Sequence, residues 1–361
     1  MRPWVFPSLG LACVATALSL ATPPALSASS LGPPEALVGN KITVHYIDVD
    51  QGAAALVELP APCGAVLIDA GGYGTAADSH LIGYLEAFFA RRPDLHRRLA
   101  AVYITHSHLD HNTSLPHVVQ SFQVDRYVET GRPNGEVTTW MDHRLSQTPV
   151  IQHIVVTEAS VEKAGPRGIS NARVDPLACA GVNPRIRILS GARVPVPGLT
   201  KTDLETENNH SMTIRIDYGA SSFLWTGDME KPALALLAAR YTGNKLLDAD
   251  VYEAGHHGSD NGTTPPLLDA VTPILAVISV GHRGNSGSKT AYGYGHPRIE
   301  TLQLLEGRIT AARPTVHGFM ATGKKQLHDF DESRAIYATG WDGDIVVTAD
   351  AFGHLAVELP H

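Results

Sequence analysis

The sequence predicts an α+β fold of αββα type, two mixed β-sheets packed face to face with helices on the outer faces. Short apolar runs of strand length recur from about residue 41 onward, and stretches of helical periodicity interrupt them. This strand-and-helix series occurs in two similar halves. Half-apolar elements must bury their apolar faces against another layer, and two such halves do so as stacked sheets covered by helices. The chain has 361 residues, 33 Gly and 24 Pro, enough length for a large core and enough turn formers for many short strands.

Residues 1–28 read as a signal peptide. Arg2 is the only early charge, an apolar run over residues 9–21 comes after it, and small residues at 25–28 suit a peptidase. That run is shorter than the roughly 20 residues a spanning helix needs. An uncleaved anchor or a buried first helix is the competing reading. No later segment is long and apolar enough to cross a membrane, so the expectation is an exported protein, periplasmic or secreted. Residues 29–40 form a short linker. No short-period repeat or low-complexity stretch divides the remainder of the chain, so residues 41–361 are read as one domain.

Residues 42–48, 54–59 and 65–69 read as successive strands, the last two joined by a turn through Pro60 and Pro62. Leu81, Leu85, Phe88 and Phe89 fall at helical spacing within residues 78–90. Residues 100–105 form an apolar strand, 114–122 a helix and 126–129 another strand. Residues 131–198 carry a helix near Trp140, strands at 151–156 and 186–189, and Pro/Gly-rich loops expected to cover or shape a substrate site. The second half opens with strands 212–218 and 222–226 about the turn Gly219-Ala220. Helix 231–241, strand 250–253, helix 265–270, strand 274–280 and helix 298–306 come next, then strands near Thr315, 345–348 and 354–358.

The net charge of −8, histidines neutral, disfavours sequence-independent nucleic-acid binding, which rests on a basic surface. A small local basic patch is still compatible with it. Cys63 and Cys179 remain after the leader is removed and form either one disulfide or two buried thiols. Neither lies near the histidine-rich segment.

That segment is Thr105-His106-Ser107-His108-Leu109-Asp110-His111, four candidate metal ligands within six residues at the end of an apolar strand. Imidazole and carboxylate together suit zinc, manganese or iron. On a loop after a strand, alternate residues converge on one ion while the adjacent Asp-His pair addresses a second. The chain holds 18 His, so a polar loop with chance histidines is the rival reading, but HxHxDH directly after a strand is too ordered for it. Thr226-Gly227-Asp228 places a carboxylate past another strand, where it suits bridging two ions. Ala254-Gly255-His256-His257-Gly258-Ser259 offers one or two imidazoles past a third. Each lies at the carboxyl end of its strand, so all face one rim. His296, in Tyr294-Gly295-His296-Pro297, either donates to a substrate oxygen or leaving group or simply bonds backbone in its loop. His45, His117 and His143 lack such company.

The ordered series resembles the metallo-β-lactamase superfamily, and most closely the hydrolase domain attached to ComEC-type competence proteins. It spans residues 41–359 and comprises His45-Tyr46-Ile47-Asp48-Val49-Asp50-Gln51-Gly52, Ile68-Asp69-Ala70-Gly71-Gly72, the histidine segment, Asn209-His210-Ser211, Thr226-Gly227-Asp228, the His256 segment and Tyr294-Gly295-His296-Pro297. The resemblance implies that His106 and His108 hold one ion and Asp110 and His111 the other. Asp228 would bridge them, and His256 would complete the second site with His257 as its rival. Asp69 would orient the histidine loop. His210 is a ligand, a substrate contact or a structural residue. Asp50 stands where the family pattern has Gly, Ala53-Ala54 where an acidic residue is common, and Asn112-Thr113-Ser114 where Gly-Gly is usual. These departures bear on substrate preference more than on metal binding.

The resulting expectation is an exported hydrolase with two divalent ions, zinc or else manganese. A bridging hydroxide oriented by Asp228 would attack, with Asp110, Asp228 and His296 as catalytic groups. The resemblance favours small, cell-envelope or polymeric phosphodiesters, nucleic acid being the least favoured by charge. An amide or ester hydrolase of β-lactamase or lactonase type is the alternative, and a non-catalytic metal-binding protein the third reading.

Overall fold

Alternation along the early strands sets the layers. In Ala65–Ile68, Val66 and Ile68 enter one apolar cluster and Ala65 and Leu67 another; in Ala101–Tyr103, Ala101 and Tyr103 part from Val102 in the same way. Successive side chains point to opposite faces, so a strand apolar at every position is buried on both. The computed structural model describes residues 31, 39–132, 135–147 and 150–360, and the expected signal peptide lies outside them.

The first sheet has eight strands in the order Leu355–Glu358, Ile345–Asp350, Lys41–Tyr46, Ala55–Glu58, Ala65–Ile68, Ala101–Tyr103, Arg126–Glu129 and Gln152–Val155. The first five alternate in direction and the last four run parallel. The second sheet runs Ile336–Ala338, Leu275–Ile278, Val251–Glu253, Ser221–Trp225, Thr213–Tyr218, Arg185–Ser190, with its first four strands parallel. Tyr46, Tyr103, Tyr218, Trp225 and Tyr252 share the core between the sheets. Helix Gly74–Arg91 covers the first sheet, burying Leu81, Leu85, Phe88 and Phe89 beside Leu56, Leu67 and Val102. Helices Lys231–Tyr241 and Pro265–Val271 join the core of the second through Leu234, Leu237, Leu267 and Leu268. This is the αββα arrangement expected. Parallel strands end together, which brings Asp69, the histidine segment, Asp228, His257 and Ser279 to one rim.

In residues 131–198 the expected helix near Trp140 and strand at 151–156 form, and of this stretch only Glu136 lines the cleft among the described residues. Helix Gly135–Gln147 buries Val137 and Met141 in the helix layer, Gln152–Val155 forms the sheet edge, and helix Glu158–Ala164 is closed by a Thr157–Ser160 capping box. The strand expected near Thr315 is one arm of a long hairpin, Ala312–Gly323 with Gln326–Arg334. Most of its residues are exposed or half-exposed, so it carries no apolar alternation. Cys63 and Cys179 form a disulfide, Cα atoms 5.0 Å apart. Among the described residues no helix is long and apolar enough to cross a membrane.

Candidate metal centre

Asp69, at the end of strand Ala65–Ile68, organises the histidine segment. Its Oδ1 accepts the Thr105 amide at 2.7 Å, and its Oδ2 accepts the Thr105 hydroxyl and His111 Nδ1, both at 2.8 Å. A carboxylate accepts only, so His111 carries its proton on Nδ1 and presents a bare Nε2 to the rim. Gly71 lets the chain pass against the short helix Leu109–Asn112; a Cβ there would meet the Asp110 carbonyl at 1.6 Å.

His257 is held in the same manner from the other sheet. Its Nδ1 donates to the Ser279 carbonyl at 2.7 Å, leaving Nε2 bare. That atom lies 3.2 Å from His111 Nε2, 3.4 Å from Asp228 Oδ2 and 3.5 Å from Asp110 Oδ2. Asp228 Oδ1 stands 3.1 Å from His111 Nε2. One donor atom each from Asp110, His111, Asp228 and His257 falls within 4.8 Å of the others, and all four residues are buried. Such a set of lone pairs fits a divalent cation.

The second pair lies alongside. His106 Nε2 is 3.1 Å from His108 Nδ1 and 3.9 Å from Asp228 Oδ2. Asp228 thus faces both sets of donors. Its amide donates to Ser211 Oγ at 3.1 Å, and the turn needs Gly227, at φ 54°, where a Cβ would sit 2.9 Å from Ser211.

Electrostatics agree with the geometry. Burial opposes the charges of Asp110 and Asp228, but the surrounding imidazoles hold both carboxyls below the usual carboxylate range. Burial likewise opposes protonation of His111 and His257, yet Asp228 pushes both up, with Asp69 adding at His111 and Asp110 at His257. The cluster demands positive charge. His106 is pushed down by burial, then by His111, and is a neutral donor.

Of the two neighbours, His257 and not His256 stands in this four-residue cluster. His256 Nε2 is 3.9 Å from Asp228 Oδ2 and 3.3 Å from Asn208 Nδ2, and its Nδ1 is 2.8 Å from Asn261 Oδ1. His210 lies outside the cluster and the cleft lining: its Nδ1 accepts the Arg193 amide at 2.9 Å and its Nε2 donates to the Leu204 carbonyl at 2.9 Å.

The rim opens into a cleft of about 660 Å³ lined by Asp110, Asp228, His108, His256, His257 and His296. His296 is buried, its ring stacks on Tyr294 with centroids 5.8 Å apart, and its Nδ1 has no partner among the described residues. Burial, with His256 and His257 adding, pushes it down, so it is a neutral imidazole. Gln51, Tyr73, Asn208 and Glu136 also line the cleft. Gln51 stands within the segment that opens the family resemblance; nothing in the local sequence distinguishes the other three.

Two stacked sheets with such a rim define a metal-dependent hydrolase fold. The family model described as the metallo-beta-lactamase superfamily matches residues 47–282, and the chain belongs to that superfamily. ComE operon protein 3 of Bacillus subtilis (strain 168) is 26% identical over 277 residues, 73% of this chain and 30% of that protein. Competence protein ComA of Neisseria gonorrhoeae is 34% identical over 106 residues, 29% of this chain and 15% of that protein. These relatives accord with the competence-protein resemblance, and the chain spans under a third of their length. Among solved structures, CmlA, a diiron beta-hydroxylase from Streptomyces venezuelae, aligns with 81% of this chain and 54% of its own at TM-score 0.43 and 15% identity. The FEZ-1 metallo-beta-lactamase from Legionella gormanii aligns with 54% and 62% at 0.29 and 14%.

Proposed function

We propose that the protein is an exported hydrolase of small or cell-envelope phosphodiesters, with two divalent ions, zinc or manganese, at this rim. The observation that carries the reading is the convergence of four buried donor atoms beside a second imidazole pair, all on one open cleft. Asp110, His111, Asp228 and His257 would hold one ion, and His106, His108 and Asp228 the other. When bound, the ions supply Lewis acidity and a water acidified towards neutrality. Asp228, anionic and anchored through its amide, orients what lies between the two pairs. His296 is placed to donate to the phosphoryl group or leaving oxygen. No Lys or Arg lines the cleft among the described residues, which suits a singly charged diester better than a nucleic-acid strand. Export is supported by the Cys63–Cys179 disulfide, since such bonds persist in oxidising compartments.

The test is metal content together with hydrolysis of bis(p-nitrophenyl) phosphate and nitrocefin, for the mature protein and for Asp110→Ala. About two ions per chain, diester turnover lost in the variant, and no nitrocefin turnover are expected. Nitrocefin turnover alone would replace the reading with an amide hydrolase. Full metal occupancy without turnover of either would leave a metal-binding protein.

A further inference from the structure

Gln51 has an unsatisfied amide at the cleft. The side chain is 1% exposed, lines the cleft, and its Nε2 has no hydrogen-bond partner among the described residues. The amide orientation is set by its other end: Oε1 accepts the Gly281 amide at 3.3 Å, and a flipped group would oppose two donors there. The two N–H bonds of this cleft-lining residue therefore have no acceptor among the described residues. Buried donors are paired in folded proteins, and one left open at a cleft awaits an acceptor from outside.

The surroundings fix this residue firmly. Asp50, at φ 57°, turns the chain, and its carboxylate accepts the His282 amide at 3.0 Å and Asn285 Nδ2 at 2.5 Å. Gly281 packs so closely that a Cβ there would lie 2.4 Å from Asp50 Oδ1 and 2.8 Å from the Gln51 amide. The aspartate that departs from the family pattern thus ties the Gln51 turn to the 281–285 loop. His296 Nδ1 is a second buried group without a partner on the same cleft.

We propose that Gln51 is a substrate-binding residue whose Nε2 donates to an anionic oxygen of the substrate, a phosphoryl oxygen under the phosphodiesterase reading, on which this inference rests. Asp50 is its positioning residue. Gln51→Met removes donor and acceptor at similar volume. Gln51→Glu keeps an oxygen for the Gly281 amide but turns an uncharged donor into an anionic acceptor.

The experiment titrates inorganic phosphate into the metal-reconstituted wild type and both variants by calorimetry, with metal content and diester hydrolysis measured in parallel. Phosphate affinity is expected to fall about tenfold in Gln51→Met and further in Gln51→Glu, as for loss of a hydrogen bond to a charged group, with metal content unchanged. Phosphate binding in both variants within about twofold of wild type, or none in the wild type, overturns the proposal. Phosphate binding that depends on Gln51, in a wild type that hydrolyses no diester, supports the contact while rejecting the phosphodiesterase reading. Should Gln51→Met fail to fold, Gln51→Glu carries the comparison.

Discussion

His111 Nε2 and His257 Nε2 face each other at 3.2 Å while each ring's Nδ1 is bonded elsewhere, to Asp69 and to the Ser279 carbonyl. As neutral imidazoles in these tautomers, rings that Asp228 otherwise drives to hold an extra proton, the two would point lone pairs at each other. That arrangement is repulsive alone and favourable only with positive charge between them. Asp110 and Asp228 close the same space with anionic oxygens, so the site selects a cation by charge as well as by donor type.

The adjacent histidines separate cleanly on this basis. His257→Ala is expected to lose tightly bound metal and to lower activity by more than the ten- to hundredfold typical of a residue outside the ligand set. His256→Ala should keep its metal, since both its ring nitrogens serve Asn261 and Asn208. Plasma mass spectrometry of the two purified variants decides it, and the opposite pattern would return the ligand role to His256.

Asp69 acts through His111 and Thr105. Asp69→Asn replaces an acceptor by a group that also donates, so the Nδ1–H tautomer of His111 is no longer enforced. Metal affinity, measured by competition with a chelator, is expected to weaken about ten- to a hundredfold. Unchanged affinity would reduce Asp69 to a loop anchor.

The Cys63–Cys179 disulfide closes a separation of 116 residues. Cys63 lies on the turn before strand Ala65–Ile68, at the opposite end from Asp69. The double Ser variant is therefore expected to lose about 2–4 kcal/mol of stability in urea unfolding and to keep its metal content and turnover under native conditions. Equal unfolding midpoints with and without the bond would refute this.

The histidine segment was legible because its ligands are contiguous and its strand is apolar at every position. Asp228 and the His256-His257 pair were legible only as strand-end residues. Choosing between those neighbours needs the fold: both take left-handed angles, φ 53° and 52°, and the second ring, not the first, stands in the cluster. No spacing rule shows that. His210 stood open between ligand, substrate contact and structural residue, and the two backbone partners that hold its ring are visible only in the fold. Of the hairpin over residues 312–334 only the first arm, near Thr315, was legible; the second hid because apolar alternation records one-sided burial, and most of its residues are exposed or half-exposed. The two sheets were readable for the converse reason: Val66, Leu67, Val102 and Tyr103 are each fully buried.

Glu332 gives a pH dependence that does not involve the metal site. It is fully buried in the hairpin, its Oε1 accepts the Arg334 amide at 2.6 Å, and its Oε2 has no partner among the described residues. Burial pushes its carboxyl up to about 7, and Glu306 adds to the effect. The folded chain therefore holds this proton over a range in which the unfolded chain has released it. Below the unfolded value near 4.5 the group's contribution is fully present, and it is lost as pH rises towards and through 7. Glu332→Gln, neutral at every pH, should be more stable than wild type at pH 8 by about 2 kcal/mol, allowing for partial screening. The two proteins should converge near pH 4.5. Urea unfolding of both at pH 5 and pH 8 measures the difference, and a gap that does not widen with pH would show that this carboxyl is ionised throughout.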